Sequence, residues 1–202
     1  MTPTAKPSLR RRGLRLEYAT LGWNVVGVPV LAVAAVRAGS PAAAGFAVDS
    51  LIEIAASLVV VWQLTGAAPT TREQRGERLI GAAFTALTAY LLLQTAYTLL
   101  AGSRPRPSAL GIGWSAATVA VMLALAAGKL ATGKALGNPV LRAEGRVTLL
   151  DAYLAVAVLL GLAVNAARGW WWADPLAGLV VAGYAAREAH HSLTGGQAGA
   201  AT

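Results

Sequence analysis

Two carboxylates lie inside an apolar stretch of the sequence, four residues apart. Asp49 and Glu53 fall in the run 42–64, which is long enough to cross a membrane as a helix of about 20 residues. Residues at this spacing share one helix face, so the two side chains lie next to each other. Burying an isolated carboxylate at the bilayer centre costs about 2.5–3.5 kcal/mol, and like charges repel. The pair therefore requires protons or a bound cation.

A third acid, Asp151, lies one to two turns into the apolar run 145–167. Glu144 precedes it by two turns on the same face, and Asn24 lies in the run 17–37. No Lys or Arg is expected at the depth of these acids, so protons or a cation must supply the compensating charge. Clustered oxygen ligands suit a divalent metal ion. Because carboxylates lose protons when they bind metal, such a site would couple metal binding to proton release.

The composition is that of a membrane protein. Of the 202 residues 56% are hydrophobic and 13% charged, about half the charged fraction of a soluble domain. The formal net charge of +8 comes from basic residues at the ends of apolar runs, which favours contact with a lipid bilayer and not with nucleic acid. No nucleophile–base pair or phosphate-binding glycine loop is present, so neither an enzyme nor a permanently bound cofactor is expected, and the absence of cysteine excludes a thiolate metal site.

The apolar pattern predicts an all-α fold, a bundle of six transmembrane helices at about 17–37, 42–64, 78–101, 109–131, 145–167 and 174–188. The bundle (17–188) is expected to follow a basic cytoplasmic N-terminal segment (1–16) and to precede a short, disordered tail (189–202). Asp174, which stands before Pro175, is predicted to cap the last helix at its N-terminus.

The placement of Lys and Arg predicts the orientation. If the N-terminus is inside, thirteen basic residues, Lys129 among them, lie on the inner side and only Arg37, Arg104, Arg106 and Arg168 on the outer side. Cytoplasmic segments carry the excess of positive charge. We therefore expect a multi-pass protein of the inner (plasma) membrane with both termini in the cytoplasm.

Several segments of the sequence resemble the membrane domain of the cation diffusion facilitators. The similarity covers about residues 14–188, and it rests on the segments Leu21–Asn24, Val48–Ser57, Leu141–Glu144 and Trp172–Gly178. The resemblance implies export of zinc or a related divalent metal, usually in exchange for protons, commonly by a homodimer. It also implies a membrane domain only, since just a short tail follows where many members carry a cytoplasmic metal-binding domain.

The resemblance assigns metal ligands residue by residue. The acidic pair of the second helix falls on Asp49 and Glu53, with Glu in place of the more usual Asp, and the second member of the fifth-helix pair falls on Asp151. The first member falls on Val147, which cannot ligate. A fourth ligand would be water, Asn24 or Glu144. Zinc is the first expectation from the resemblance, but an all-oxygen site also suits manganese or iron(II).

Two other functions remain open from the sequence. The protein could be a non-transporting accessory protein that uses a degenerate metal site to bind a partner, as the loss of a ligand at Val147 suggests. It could also be a proton- or sodium-coupled carrier of an organic cation. The buried acids would serve such a carrier, although no aromatic cage is evident near them.

Overall fold

The fold is entirely helical in the parts of the chain that the structure, a computed structural model, describes: residues 5–65, 70–102 and 104–198. These residues form six helices and no strand. The helices are α1 (Ala5–Ala38), α2 (Pro41–Thr65), α3 (Thr70–Leu100), α4 (Ala109–Leu136), α5 (Pro139–Arg168) and α6 (Ala173–Ala198). The predicted all-α, six-helix fold is confirmed.

Four of the helices are long and apolar enough to cross a membrane, counting only the described residues. They contain the spans Pro7–Ala38, Pro41–Trp62, Ala109–Leu136 and Glu144–Arg168, in α1, α2, α4 and α5. The predicted spans in α3 and α6 are not among these four, and many side chains in the first half of α3 lie outside the described residues. Their crossing of the membrane stays a prediction from the sequence.

The same four helices form a ring. α1 packs against α2 and α4, and α5 packs against the same two helices; α6 lies against α5 and α2, and α3 lies against α6 and α2. The main apolar core, which includes Leu31, Phe46, Val158, Leu162 and Val181, joins the ring to α6. The interior of the ring holds a smaller apolar cluster that includes Met122, Leu125 and Ala152, and the polar side chains described below.

The α4–α5 hairpin brings two helices unusually close. Gly137 ends α4 in the left-handed region, at φ 64°, where a side chain would be strained, and its N–H bonds the last carbonyls of α4. Farther along, an added Cβ on Gly145 would lie only 3.1 Å from the Cβ of Lys129. The absence of a side chain at Gly145 thus lets the backbone of α5 approach α4 at the level of Lys129.

Both ends of the bundle extend past the predicted boundaries. α1 begins at Ala5, before the predicted start at residue 17, because Leu14 and Leu16 pack on neighbouring helices and extend the apolar face toward the N-terminus. α6 continues to Ala198, where a disordered tail is expected, and Ala189 is part of the main core. Residues 1–4 and 199–202 lie outside the described residues.

Asp174 caps a different helix from the one predicted. It lies inside α6, is fully buried, and accepts hydrogen bonds from Ser40 Oγ and from the backbone N–H of Ala42 at 3.2 Å. Ser40 Oγ in turn accepts a bond from the N–H of Ala43 at 3.0 Å. Ser40 and Asp174 therefore satisfy the free N–H groups at the start of α2, the helix that carries the acidic pair.

Candidate metal site

The three predicted acids meet inside the ring. Asp49 and Glu53 lie one turn apart on α2, Asp151 lies on α5, and they are 5%, 3% and 3% exposed. The carboxyl group of Asp151 lies within interaction distance of those of both Asp49 and Glu53. We call these residues the site acids. The structure therefore brings together the three carboxylates that the sequence predicts as metal ligands.

Several oxygens of the site acids have no donor. Both carboxylate oxygens of Asp151 and Oε1 of Glu53 accept no hydrogen bond within the described residues. A buried polar atom without a partner costs free energy, and adjacent ionised carboxylates repel each other. Protons or a cation would remove both costs.

The site acids do not form a ready coordination shell. In the described residues, no group of three or more His, Asp or Glu side chains is arranged to hold a metal ion directly. The site acids are neighbours, but they do not form such a group. Binding an ion here requires the side chains to close in around it.

Asn24 lies beside the site acids. Its Nδ2 donates to Oε2 of Glu53 at 2.9 Å and to the carbonyl of Thr20 at 3.1 Å. These bonds hold one oxygen of Glu53 in place and connect α1 to the site. Of the options for a fourth ligand, Asn24 thus lies at the acids, and its Oδ1 is the atom that could ligate a cation.

A buried lysine corrects one expectation from the sequence. Lys129 of α4, assigned to the inner surface by its position near the end of an apolar run, is 0% exposed. Its Nζ lies 3.0 Å from Oε1 of Glu144, 3.1 Å from Oε2 of Glu17 and 3.0 Å from Oγ1 of Thr148. Because Thr148 is three residues from Asp151, a positive charge lies within about one turn of the site acids.

Glu144 binds this lysine. Its Oε1 accepts hydrogen bonds from Lys129 and, at 3.2 Å, from Oγ of Ser57 on α2. The structure places Glu144 and Asp151 on the inward face of α5, as the spacing predicts, with Thr148 between them, and all three are buried. We call Lys129, Glu17, Ser57, Glu144 and Thr148 the lysine cluster. Glu144 is already paired within it, whereas Asp151 and Glu53 hold oxygens without donors, as does Glu17 at its Oε1.

A periodic pattern in α4 could have revealed Lys129. The buried residues Ser115, Thr118, Met122, Leu125, Lys129 and Thr132 follow each other at alternating spacings of three and four. This is the spacing of one helix face, and polar residues occupy both ends of it. Lys129 therefore lies on the inward face of α4, although its distance from the predicted helix end suggested the surface.

Comparison with known protein families identifies the family of the chain. The family model of the cation efflux transmembrane domain matches residues 76–193, more than half of the chain. The match includes Asp151 and the lysine cluster residues of α4 and α5, but it does not reach Asp49 and Glu53. Among curated proteins the chain has no match. The chain belongs to the cation efflux family, the cation diffusion facilitators, and is therefore a multi-pass membrane protein that transports metal cations and not an enzyme.

Proposed function

We propose that the protein exports a divalent metal ion and that the site acids bind the ion midway through the membrane. The observation that carries this proposal is the set of buried oxygens without donors on Asp151 and Glu53. These atoms belong to carboxylates of two helices inside a ring of four membrane-crossing helices. A divalent ion would neutralise two of the three charges and supply the missing partner to each oxygen.

Proton exchange is the proposed source of energy for transport. Carboxylates bind metal only when they have lost their protons. When the ion leaves, three buried charges remain side by side, which favours the uptake of protons from the same side of the membrane. Each cycle would therefore move the metal in one direction and protons in the other.

Zinc is the first substrate to test, and manganese and iron(II) are the alternatives. Zinc is proposed from the resemblance to the family, whereas the chemistry of the site favours less selective binding, because Val147 supplies no imidazole nitrogen. We further propose an inner-membrane location with both termini in the cytoplasm, from the distribution of Lys and Arg. A homodimer is the assembly that the family suggests.

Transport into proteoliposomes tests the site. We expect Asp49→Asn and Asp151→Asn each to reduce zinc or manganese flux under a pH gradient at least about tenfold, because each removes a charged ligand while keeping the side-chain volume. A suitable control is Asn165→Ala, which removes a buried hydrogen bond from α5 to the carbonyl of Pro105 (2.9 Å) away from the site acids. The control should retain flux if the protein remains folded.

Unchanged flux in both aspartate variants would show that the site is assigned wrongly. If the unmodified protein carries no metal flux, calorimetry separates the remaining possibilities. A protein that binds no divalent metal near neutral pH would fit the accessory role instead, since a degenerate facilitator could use this fold to bind a partner protein. Specific metal binding that is lost with Asp151→Asn would support the transporter.

A further inference from the structure

We propose that the lysine cluster is a gate on the metal path, between the site acids and the end of the bundle where α1 begins. The inference rests on the proposed function, because a gate requires an ion that passes it. It assigns a role to Lys129 and Glu17, two buried charged residues that the proposed metal site does not use. Lys129 acts here as a positioning residue that holds the path closed.

The lysine cluster lies on one side of the site acids on each helix that carries part of the site. On each of these three helices, a residue at the site has a member of the cluster three to seven residues away, toward the same end of the bundle. The pairs are Asn24 with Glu17 on α1, Glu53 with Ser57 on α2, and Asp151 with Thr148 on α5. At 1.5 Å per residue these offsets are about 4.5–10 Å along the helices. The lysine cluster is thus a separate layer, adjacent to the site.

This layer joins all four helices of the ring. Lys129 of α4 reaches Glu17 of α1 at 3.1 Å and Glu144 of α5 at 3.0 Å. Ser57 of α2 completes the layer by donating to the same oxygen of Glu144 at 3.2 Å. All the members of the cluster are buried. An ion that moves along the interior of the ring must therefore separate these side chains.

The charges of the lysine cluster favour a closed layer in the absence of metal. One ammonium group lies between two buried carboxylates, so pulling it away leaves both without compensation, which is strongly unfavourable. An incoming divalent cation carries more charge than the ammonium and can bind the same oxygens. Opening would then be favoured when a metal ion arrives at Glu17 and Glu144.

The lack of native cysteine makes the gate measurable. Ser50 on α2 is buried next to Asp49, beyond the layer, so Ser50→Cys provides a single reporter thiol. The full chain in proteoliposomes would be treated, without metal, with a membrane-impermeant thiol reagent from the side of the N-terminus. We expect Lys129→Met to increase the rate of thiol modification at least about tenfold. Lys134→Met, which removes an exposed lysine from the same helix, should leave the rate unchanged.

A charge swap distinguishes the effect of the ion pair from an effect of the lysine side chain alone. In the double variant Glu17→Lys with Lys129→Glu, the new ammonium on α1 again faces two carboxylates, so slow modification should return. If Lys129→Met does not fold, Glu17→Gln serves in its place, since it removes one charge and keeps the volume. Glu17→Gln should also accelerate modification, by a smaller factor.

The outcomes distinguish the gate from the proposed function. An unchanged modification rate in a folded Lys129→Met or Glu17→Gln protein overturns the gate, even if the chain transports metal. Failure of the charge swap to slow the reaction also contradicts it. Faster modification in a chain that carries no metal flux would keep the closed layer but reject the proposed transport.

Discussion

At the residue scale, Val147 limits the ligand types of the proposed metal site. It lies four residues before Asp151, a spacing that places both residues on one face of α5, and its side chain is half-buried. The adjacent Thr148 turns toward Lys129, with a distance of 3.0 Å between Nζ and Oγ1. An apolar residue at 147 leaves oxygen as the ligand type of the site.

Restoring an imidazole at this position should change metal preference. We expect Val147→His to raise the affinity for zinc relative to manganese at least about tenfold, because zinc takes nitrogen ligands more readily than manganese does. Competition calorimetry on the purified protein measures the ratio. Val147→Leu, which changes shape without adding a ligand, is the matched control. A ratio that does not differ between the two variants would show that residue 147 does not reach the ion.

The start of α2 depends on another helix, which is a property of the element scale. Ser40 caps α2 locally, and Asp174 of α6 reinforces the cap through the hydroxyl of Ser40 and the N–H of Ala42. A buried carboxylate in this position also interacts favourably with the positive end of the helix dipole. The contact links the start of α2 to α6, and Asp49 lies about two turns farther along α2.

Removal of this cap should destabilise the protein. We expect Asp174→Ala and Ser40→Ala each to lower the free energy of unfolding by about 1–2 kcal/mol. The double variant should lose less than the sum, because both residues belong to one hydrogen-bond network. Denaturant titration in detergent micelles gives the values.

The cap of α4 provides an independent control for the comparison of the Ser40 and Asp174 variants with their double variant. Ser108 caps α4 by accepting a bond from the N–H of Gly111 at 3.1 Å, in a network separate from that of Asp174. Ser108→Ala should therefore combine additively with Asp174→Ala. Additive losses for Ser40→Ala and Asp174→Ala would contradict a shared cap.

The orientation in the membrane is a property of the whole molecule. Burial of Lys129 removes one basic residue from the inner side, which leaves twelve against four. The positive-inside imbalance is still large, so the predicted orientation with both termini in the cytoplasm stands as a prediction.

Single cysteines in this cysteine-free chain can test the orientation. Arg104 precedes α4, Lys134 lies in its last turn, and both are exposed. We expect Arg104→Cys to react with an impermeant maleimide applied to intact cells, and Lys134→Cys to react only after the cells are permeabilised. The reverse pattern of labelling would place the termini outside.

The sequence by itself determined the fold class and the selection of Asp49, Glu53 and Asp151. Both depend on local properties of the chain: the length of apolar runs, the cost of burying a carboxylate and the periodicity of a helix. For the same reason the spacing of Glu144, Thr148 and Asp151 was enough to place them on one face of α5.

The tertiary structure alone decided the partners of the remaining charged residues. A lysine near the end of an apolar run can extend to the membrane surface or turn inward, because its long side chain permits both. Lys129 turns inward because Glu17 and Glu144 lie on the helices that pack around it. Asp174 likewise binds Ser40 across 134 positions of sequence. Such contacts depend on which helices become neighbours, and the order of residues along one helix does not determine that.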